Sequence, residues 1–298
     1  MPGIKVSVGN CFGNRNLMVK PQHLMAIFPV FIALSACGSS GSTPNEWVRG
    51  DWNHGNSRTF NGLMRTYSAY VPTVEQPQGL IVVMHGSGQG VTQLISELSA
   101  ESVANQNGLL VVVPAGLNGG WNDEEPPGGE LADDVGFIDG LVASLKSDFP
   151  SLPDDHVFAH GFSNGGGLAT RLACESQQIR GIGAIGNYYT PIAGSCPRPT
   201  GRTIPGWFGA GVDDELVPVE SVRQAMSNYV TDLTDCPNVS GLQTVASVDV
   251  PSGVVCKQFP ECDRVRLCEY PDRGHEVLEG SVSAAFSFLQ TAAGSSAN

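Results

Sequence analysis

Basic residues are scarce in this chain. Its 16 Lys and Arg stand against 29 Asp and Glu, a net charge of −13. A phosphate backbone would repel such a surface, so no nucleic-acid partner is expected. Charge of either sign is also sparse, at 15% of 298 residues, while Gly reaches 37 and Pro 20. That combination excludes a coiled coil or a simple helical bundle. No apolar run reaches the roughly 20 residues that a membrane-spanning helix needs. There is no Cys-x-x-Cys pair with matching His spacing, which argues against a zinc site. Internal repeats are absent. The 41% of hydrophobic residues are enough for a full core, so the chain is not disordered.

The first 36 residues contain no Asp or Glu, and their basic residues are Lys5, Arg15 and Lys20. Leu24 to Leu34 is an apolar run broken only by Pro29, followed by Ser35-Ala36-Cys37. A basic head, a short apolar run and small residues read as a secretory signal over 1–36, with Met18 a plausible start. Leu34-Ser35-Ala36-Cys37 resembles the lipobox of bacterial lipoproteins, in which the Cys is acylated. The resemblance implies lipidation at Cys37, a flexible tether over 37–46 and a membrane partner reached through that anchor. The chain is therefore expected to be exported, either lipid-anchored at the bacterial cell envelope or secreted. The catalytic domain is expected over 47–298.

Apart from Cys11 and Cys37, six cysteines remain. An even number in an exported chain implies disulfides, although six cysteines allow 15 connectivities. A turn over Pro260 to Asp263 sets Cys256 opposite Cys268 in an antiparallel pair. The set taken forward is Cys256–Cys268, Cys236–Cys262 and Cys174–Cys196, with other pairings left open.

Leu80 to Met84 and Leu109 to Val113 are unbroken apolar runs, and Val157 to Ala159 is a shorter one. Runs buried on both faces belong to parallel strands. Weaker strands are expected at 179–185 and 204–208, with a late one at 265–270 and an early antiparallel one at 67–71. Helices are expected from Asp133 or Asp134 to about Ser147, from Ser163 to about Glu175, around 220–233 and around 281–291. Strands alternating with helices give one α/β domain, an open and mostly parallel sheet with helices on both faces. Residues 237–260 read as a surface excursion.

Gly161-Phe162-Ser163-Asn164-Gly165 fits G-x-S-x-G between a strand and a helix, the context in which a serine is pushed out on a tight turn. A serine hydroxyl needs a base to become a nucleophile. His275 is the only histidine after Ser163, as the order Ser, acid, His requires. The acid lies in Gly209 to Pro218, where Asp213 and Asp214 compete. His85-Gly86-Ser87 follows the first strong strand, so the amides of Ser87 and Asn164 are assigned to an oxyanion hole. His85 and Trp121 are assigned to the substrate pocket. No metal or organic cofactor is expected, and the acidic run Asp123-Glu124-Glu125 reads as an exposed loop rather than a Ca²⁺ site.

Tyr67 to Pro72, His85-Gly86, Trp121-Asn122, Asp134 to Ile138, Gly161 to Gly166, Asp214 to Pro218 and Gly274-His275 together resemble the polyhydroxybutyrate depolymerase and feruloyl esterase group of secreted α/β hydrolases. That resemblance spans about Arg65 to Gly280 and implies the α/β-hydrolase fold. Its Asp-x-x-Val-Pro pattern selects Asp214. The implied activity is ester hydrolysis through an acyl-enzyme, with Ser163 as nucleophile, His275 as base and Asp214 as its orienter. A polyhydroxybutyrate-type polyester comes first as substrate and a feruloyl or acetyl-xylan-type carbohydrate ester second. A non-catalytic ligand-binding surface lipoprotein is the rival class. The chain departs from the group at Phe208 to Gly211 and at Val277-Leu278, which bears on substrate rather than on the three reacting residues.

Overall fold

A computed structural model of the protein describes residues 46–124, 132–188, 196, 202–236, 239–246 and 248–294. The expected signal, Cys37, the tether before residue 46 and Glu125 lie outside these residues. The chain begins its described course with β1 (Asp51–Phe60) and β2 (Leu63–Val71). They are joined by Asn61-Gly62, both at positive φ (47° and 78°), the dipeptide that a tight hairpin turn demands. Next come β3 (Gly79–Met84), α1 (Val91–Leu98), α2 (Glu101–Asn107) and β4 (Leu109–Pro114). They are followed by α3 (Asp134–Asp148), β5 (Val157–Phe162), α4 (Asn164–Glu175), β6 (Gly181–Ile185) and β7 (Gly206–Gly211). The rest is α5 (Val219–Leu233), β8 (Gln243–Val245), β9 (Val255–Gln258), β10 (Val265–Tyr270) and α6 (Ser281–Gly294).

The strands form one sheet in the order β1-β2-β4-β3-β5-β6-β7-β10-β9-β8. From β4 to β10 every pairing is parallel, while β1, β2, β8 and β9 add antiparallel margins. Within the stretch expected as a surface excursion, β8 and β9 form one edge of the sheet, with most of their positions exposed or half-exposed. Val245 pairs with Cys256, and Cys256 with Cys268, so the cysteine pairing itself extends the sheet.

Side-chain alternation divides the core in two. Leu80, Val82 and Met84 point to the face covered by α3, α4 and α5, while Ile81, Val83, Val111 and Val113 point to the face covered by α1, α2 and α6. Strands buried on both faces need apolar residues at every position, and all six residues of β3 and of β4 are buried. Among the described residues the disulfides are Cys174–Cys196, Cys236–Cys262 and Cys256–Cys268. Among the described residues no helix is long and apolar enough to cross a membrane.

One topological fact positions the site. The chain leaves β3 for β4 on one side and then returns to β5 on the other. Loops after the two strands therefore diverge from a common crevice at the carboxyl edge, where open α/β sheets bind ligands. Met84 and Gly161 are register partners there, which brings the Gly86-Ser87 loop beside Ser163.

Candidate active site

Ser163 joins β5 to α4 in a conformation that costs energy, with φ 54° and ψ −122°. A non-glycine residue at positive φ is strained by about 1–3 kcal/mol. The surroundings hold it there. Its amide donates to Ile185 O at 2.8 Å, and its carbonyl accepts from the Gly167 amide at 3.0 Å. The crossing of strand and helix leaves no room for neighbouring side chains. A Cβ on Gly161 would lie 2.1 Å from Gly165 O, and one on Gly165 would lie 2.4 Å from Met84 O. The glycines of the motif are thus required by close approach of backbones.

His275 follows β10 in a loop and reaches both of its expected neighbours. Its Nε2 lies 3.0 Å from Ser163 Oγ and its Nδ1 lies 2.8 Å from Asp214 Oδ2. A carboxylate can only accept, so Nδ1 carries the proton and Nε2 is left to accept from the serine hydroxyl. Asp214 is buried, and its other oxygen accepts from the amides of Leu216 and Val217 at 2.9 and 2.8 Å. Asp213 is exposed, and its amide donates to Arg273 O. Asp214 alone of the two therefore faces the imidazole.

The opposite wall is the loop after β3. Among the described residues the amides of Ser87 and Asn164 have no acceptor; Asn164 heads α4, where the first N–H groups lack intrahelical partners. His85 ties the loop down. The Gly116 amide donates to its Nε2 at 2.9 Å, so its Nδ1 carries the proton and donates to Gly86 O at 2.8 Å. Burial holds this imidazole below its usual pKa, against the opposing bond to Gly86, so the neutral form is the one built in. The Gly88 amide donates to Gly119 O at 2.7 Å, closing the two loops together.

Ser87, Ser163, Phe162 and His275 line a cleft of about 480 Å³. His85 and Trp121, expected in the pocket, do not line it. Both are buried beneath it, with ring centroids 5.1 Å apart. Trp121 is occupied by the scaffold instead. Its indole N–H donates to His85 O at 2.9 Å. Its amide donates to Asn164 Oδ1 at 2.7 Å, and Asn164 Nδ2 donates back to its carbonyl at 3.0 Å. Trp121 therefore orients Asn164 from behind and leaves the cleft wall to smaller groups.

Several supporting residues escaped sequence reasoning. Arg65 and Asp134 form a buried ion pair at 2.7 Å, with exposures of 2% and 1%. Asp134 also accepts from the Asn122 amide, and Arg171 donates to the Asn122 carbonyl. Asp123 is half-buried rather than solvated; burial raises its carboxyl above the usual range, against a bond from Asn164. Two signals pointed here: Asp134 as a helix-start residue, and Trp121-Asn122 and Asp134 to Ile138 among the residues that carry the family resemblance. Among the described residues no three His, Cys, Asp or Glu side chains are grouped to hold a metal ion.

Solved structures with this arrangement of sheet and helices include acetyl xylan esterase from Aspergillus awamori. It superposes with a TM-score of 0.61 at 14% identity, over 75% of this chain and 94% of that one. A phospholipase/carboxylesterase from Dyadobacter fermentans gives 0.53 at 15% identity, over 76% and 96%. The fold is that of the α/β hydrolases. In sequence, the chain is 29% identical to feruloyl esterase D of Neurospora crassa over 141 residues, 42% of this chain and 46% of that protein. It is 23% identical to feruloyl esterase C of Emericella nidulans over 257 residues, 84% of this chain and 87% of that one. The chain thus spans about half the length of the Neurospora relative it matches. No protein-family model matches.

Proposed function

We propose that the protein is a serine carboxylic ester hydrolase. Ser163 Oγ attacks the ester carbonyl while His275 Nε2 takes its proton, and Asp214 keeps the proton on Nδ1 and stabilises the imidazolium. The amides of Ser87 and Asn164 receive the developing oxyanion, each worth about 3–4 kcal/mol in such sites. The alcohol leaves with the proton from His275, and a water activated by the same nitrogen releases the acid. The observation that carries this reading is the unbroken hydrogen-bonded line from Ser163 Oγ through His275 to Asp214.

The named relatives favour a feruloyl or acetyl ester on carbohydrate over the polyester that stood first on sequence alone. Three disulfides and the signal-like start support export, because such bonds persist in oxidising compartments. Lipidation at Cys37 and the division into signal, tether and catalytic domain rest on sequence.

Active-site labelling with a fluorophosphonate tests the reading. Wild-type protein is expected to label and to hydrolyse methyl ferulate or an acetylated sugar, with both lost in Ser163→Ala. Failure of folded wild-type protein to label would leave the ligand-binding lipoprotein as the better description.

A further inference from the structure

Helix α1 forms one wall of the cleft and presents Gln89, Gln93 and Glu97 to it, just before and along the helix. Gln89 Nε2 donates to Glu97 Oε2 at 2.7 Å, and Gln93 Nε2 donates to Glu97 Oε1 at 3.0 Å. Both oxygens of Glu97 thus accept from neutral amides, which suits the ionised carboxylate and leaves its charge unneutralised. Gln89 also accepts from the Gly86 amide at 3.0 Å, so the carboxylate stands one side chain away from the loop that carries the Ser87 amide. Glu276 lines the same cleft beside His275. Its partner Arg273, at 3.8 Å, is shared with Glu279 at 3.7 Å and does not line the cleft. No Lys or Arg is among the described residues that do.

From this arrangement we infer that Glu97 sets a charge filter, admitting uncharged esters and rejecting esters that carry a carboxylate. The inference rests on the esterase reading. Its physical basis is simple. A carboxylate near the oxyanion loop repels a substrate anion at the distance of a cleft width, weakly in water but more strongly between low-dielectric walls. The same Gln and Glu side chains can exchange hydrogen bonds with hydroxyl groups, so neutral hydroxyl-bearing esters meet no penalty. Carboxylate-ended polyester oligomers, and acyl esters on sugars that keep a free uronate carboxylate, fall on the rejected side. Glu97 is exposed, so salt should weaken the filter.

The test compares 4-nitrophenyl butyrate with its near-isostere mono-4-nitrophenyl succinate, and methyl with carboxymethyl ferulate, which moves the charge to the alcohol side. In the wild type, kcat/KM is expected to favour the neutral member of each pair. Glu97→Gln should raise kcat/KM for the anion in at least one pair, by roughly threefold to tenfold. The anion-to-neutral ratio of kcat/KM should rise in that pair, and the gain should shrink in 0.5 M salt, where the screening length is about 4 Å. Equal changes for neutral and charged members, or no change in either pair, would overturn the filter. Absence of hydrolysis of any neutral ester by wild-type protein would instead overturn the esterase reading.

Discussion

His160 lies on β5, three residues before the strained serine, and is buried with no partner for either ring nitrogen. Desolvation pushes its pKa from 6.5 down to about 3. The unfolded chain takes up a proton on this residue below pH 6.5, whereas the folded chain does not until about pH 3. Folded stability is therefore lost as pH falls through that window, by about 1.4 kcal/mol per pH unit from this residue alone. His160→Gln keeps a polar side chain of similar bulk without the titration. Urea unfolding between pH 6.5 and 4 should show a slope shallower by about one proton in the variant. An unchanged slope would mean that His160 is not an acid-labile point. The aromatic residues beneath the cleft carry the opposite lesson about legibility. His85 and Trp121 were read as pocket residues because one follows β3 beside Ser87 and the other belongs to a family-like motif, but neither fact tells whether a side chain turns into a cleft or under it. Ser163 and His275 were marked by motif and chain order in strand-end loops that a parallel sheet brings to one edge, whereas the acid loop left Asp213 and Asp214 open and only the family-like Asp-x-x-Val-Pro pattern singled out Asp214.

Helix α3 begins where two adjacent aspartates divide the work. Asp133 accepts from the Gly136 amide at 2.9 Å as a cap, while Asp134 turns inward to Arg65, whose guanidinium stacks 3.9 Å above the Phe137 ring. Arg65→Ala would leave a buried carboxylate without its counterion, at a cost of about 3–5 kcal/mol. Chemical denaturation should show that loss, and Arg65→Met combined with Asp134→Leu should recover much of it. A cost below about 1 kcal/mol for Arg65→Ala would refute the pair's importance. At this scale the parallel strands were readable, since burial on both faces writes a continuous apolar run. Strand β1 was not, because DWNHGNSRTF lies at an edge with every position exposed or half-exposed. Helices α1 and α2 were missed because they are short and neither has a side-chain cap.

Across the whole molecule, the three bridges gather in the half of the chain that follows the serine, with separations of 22, 26 and 12 residues. Each is expected to contribute about 3 kcal/mol through the chain entropy it removes from the unfolded state. Their burial differs. Cys256 and Cys268 are 1% and 0% exposed and sit within the sheet, whereas Cys196 and Cys236 are only partly buried. Under mild phosphine treatment without denaturant, alkylation and mass spectrometry should find Cys256–Cys268 the last to open. If it opened first, the late sheet edge would have to unfold locally far more readily than its burial implies. Ser163 and His275 are 112 residues apart, and Asp214 precedes His275 by 61. A chain growing from its amino end can display the serine early yet has nothing to activate it until the stretch beyond β10 has emerged and docked. The proposed chemistry is thereby withheld through most of synthesis, a latency that needs neither an inhibitor nor a propeptide.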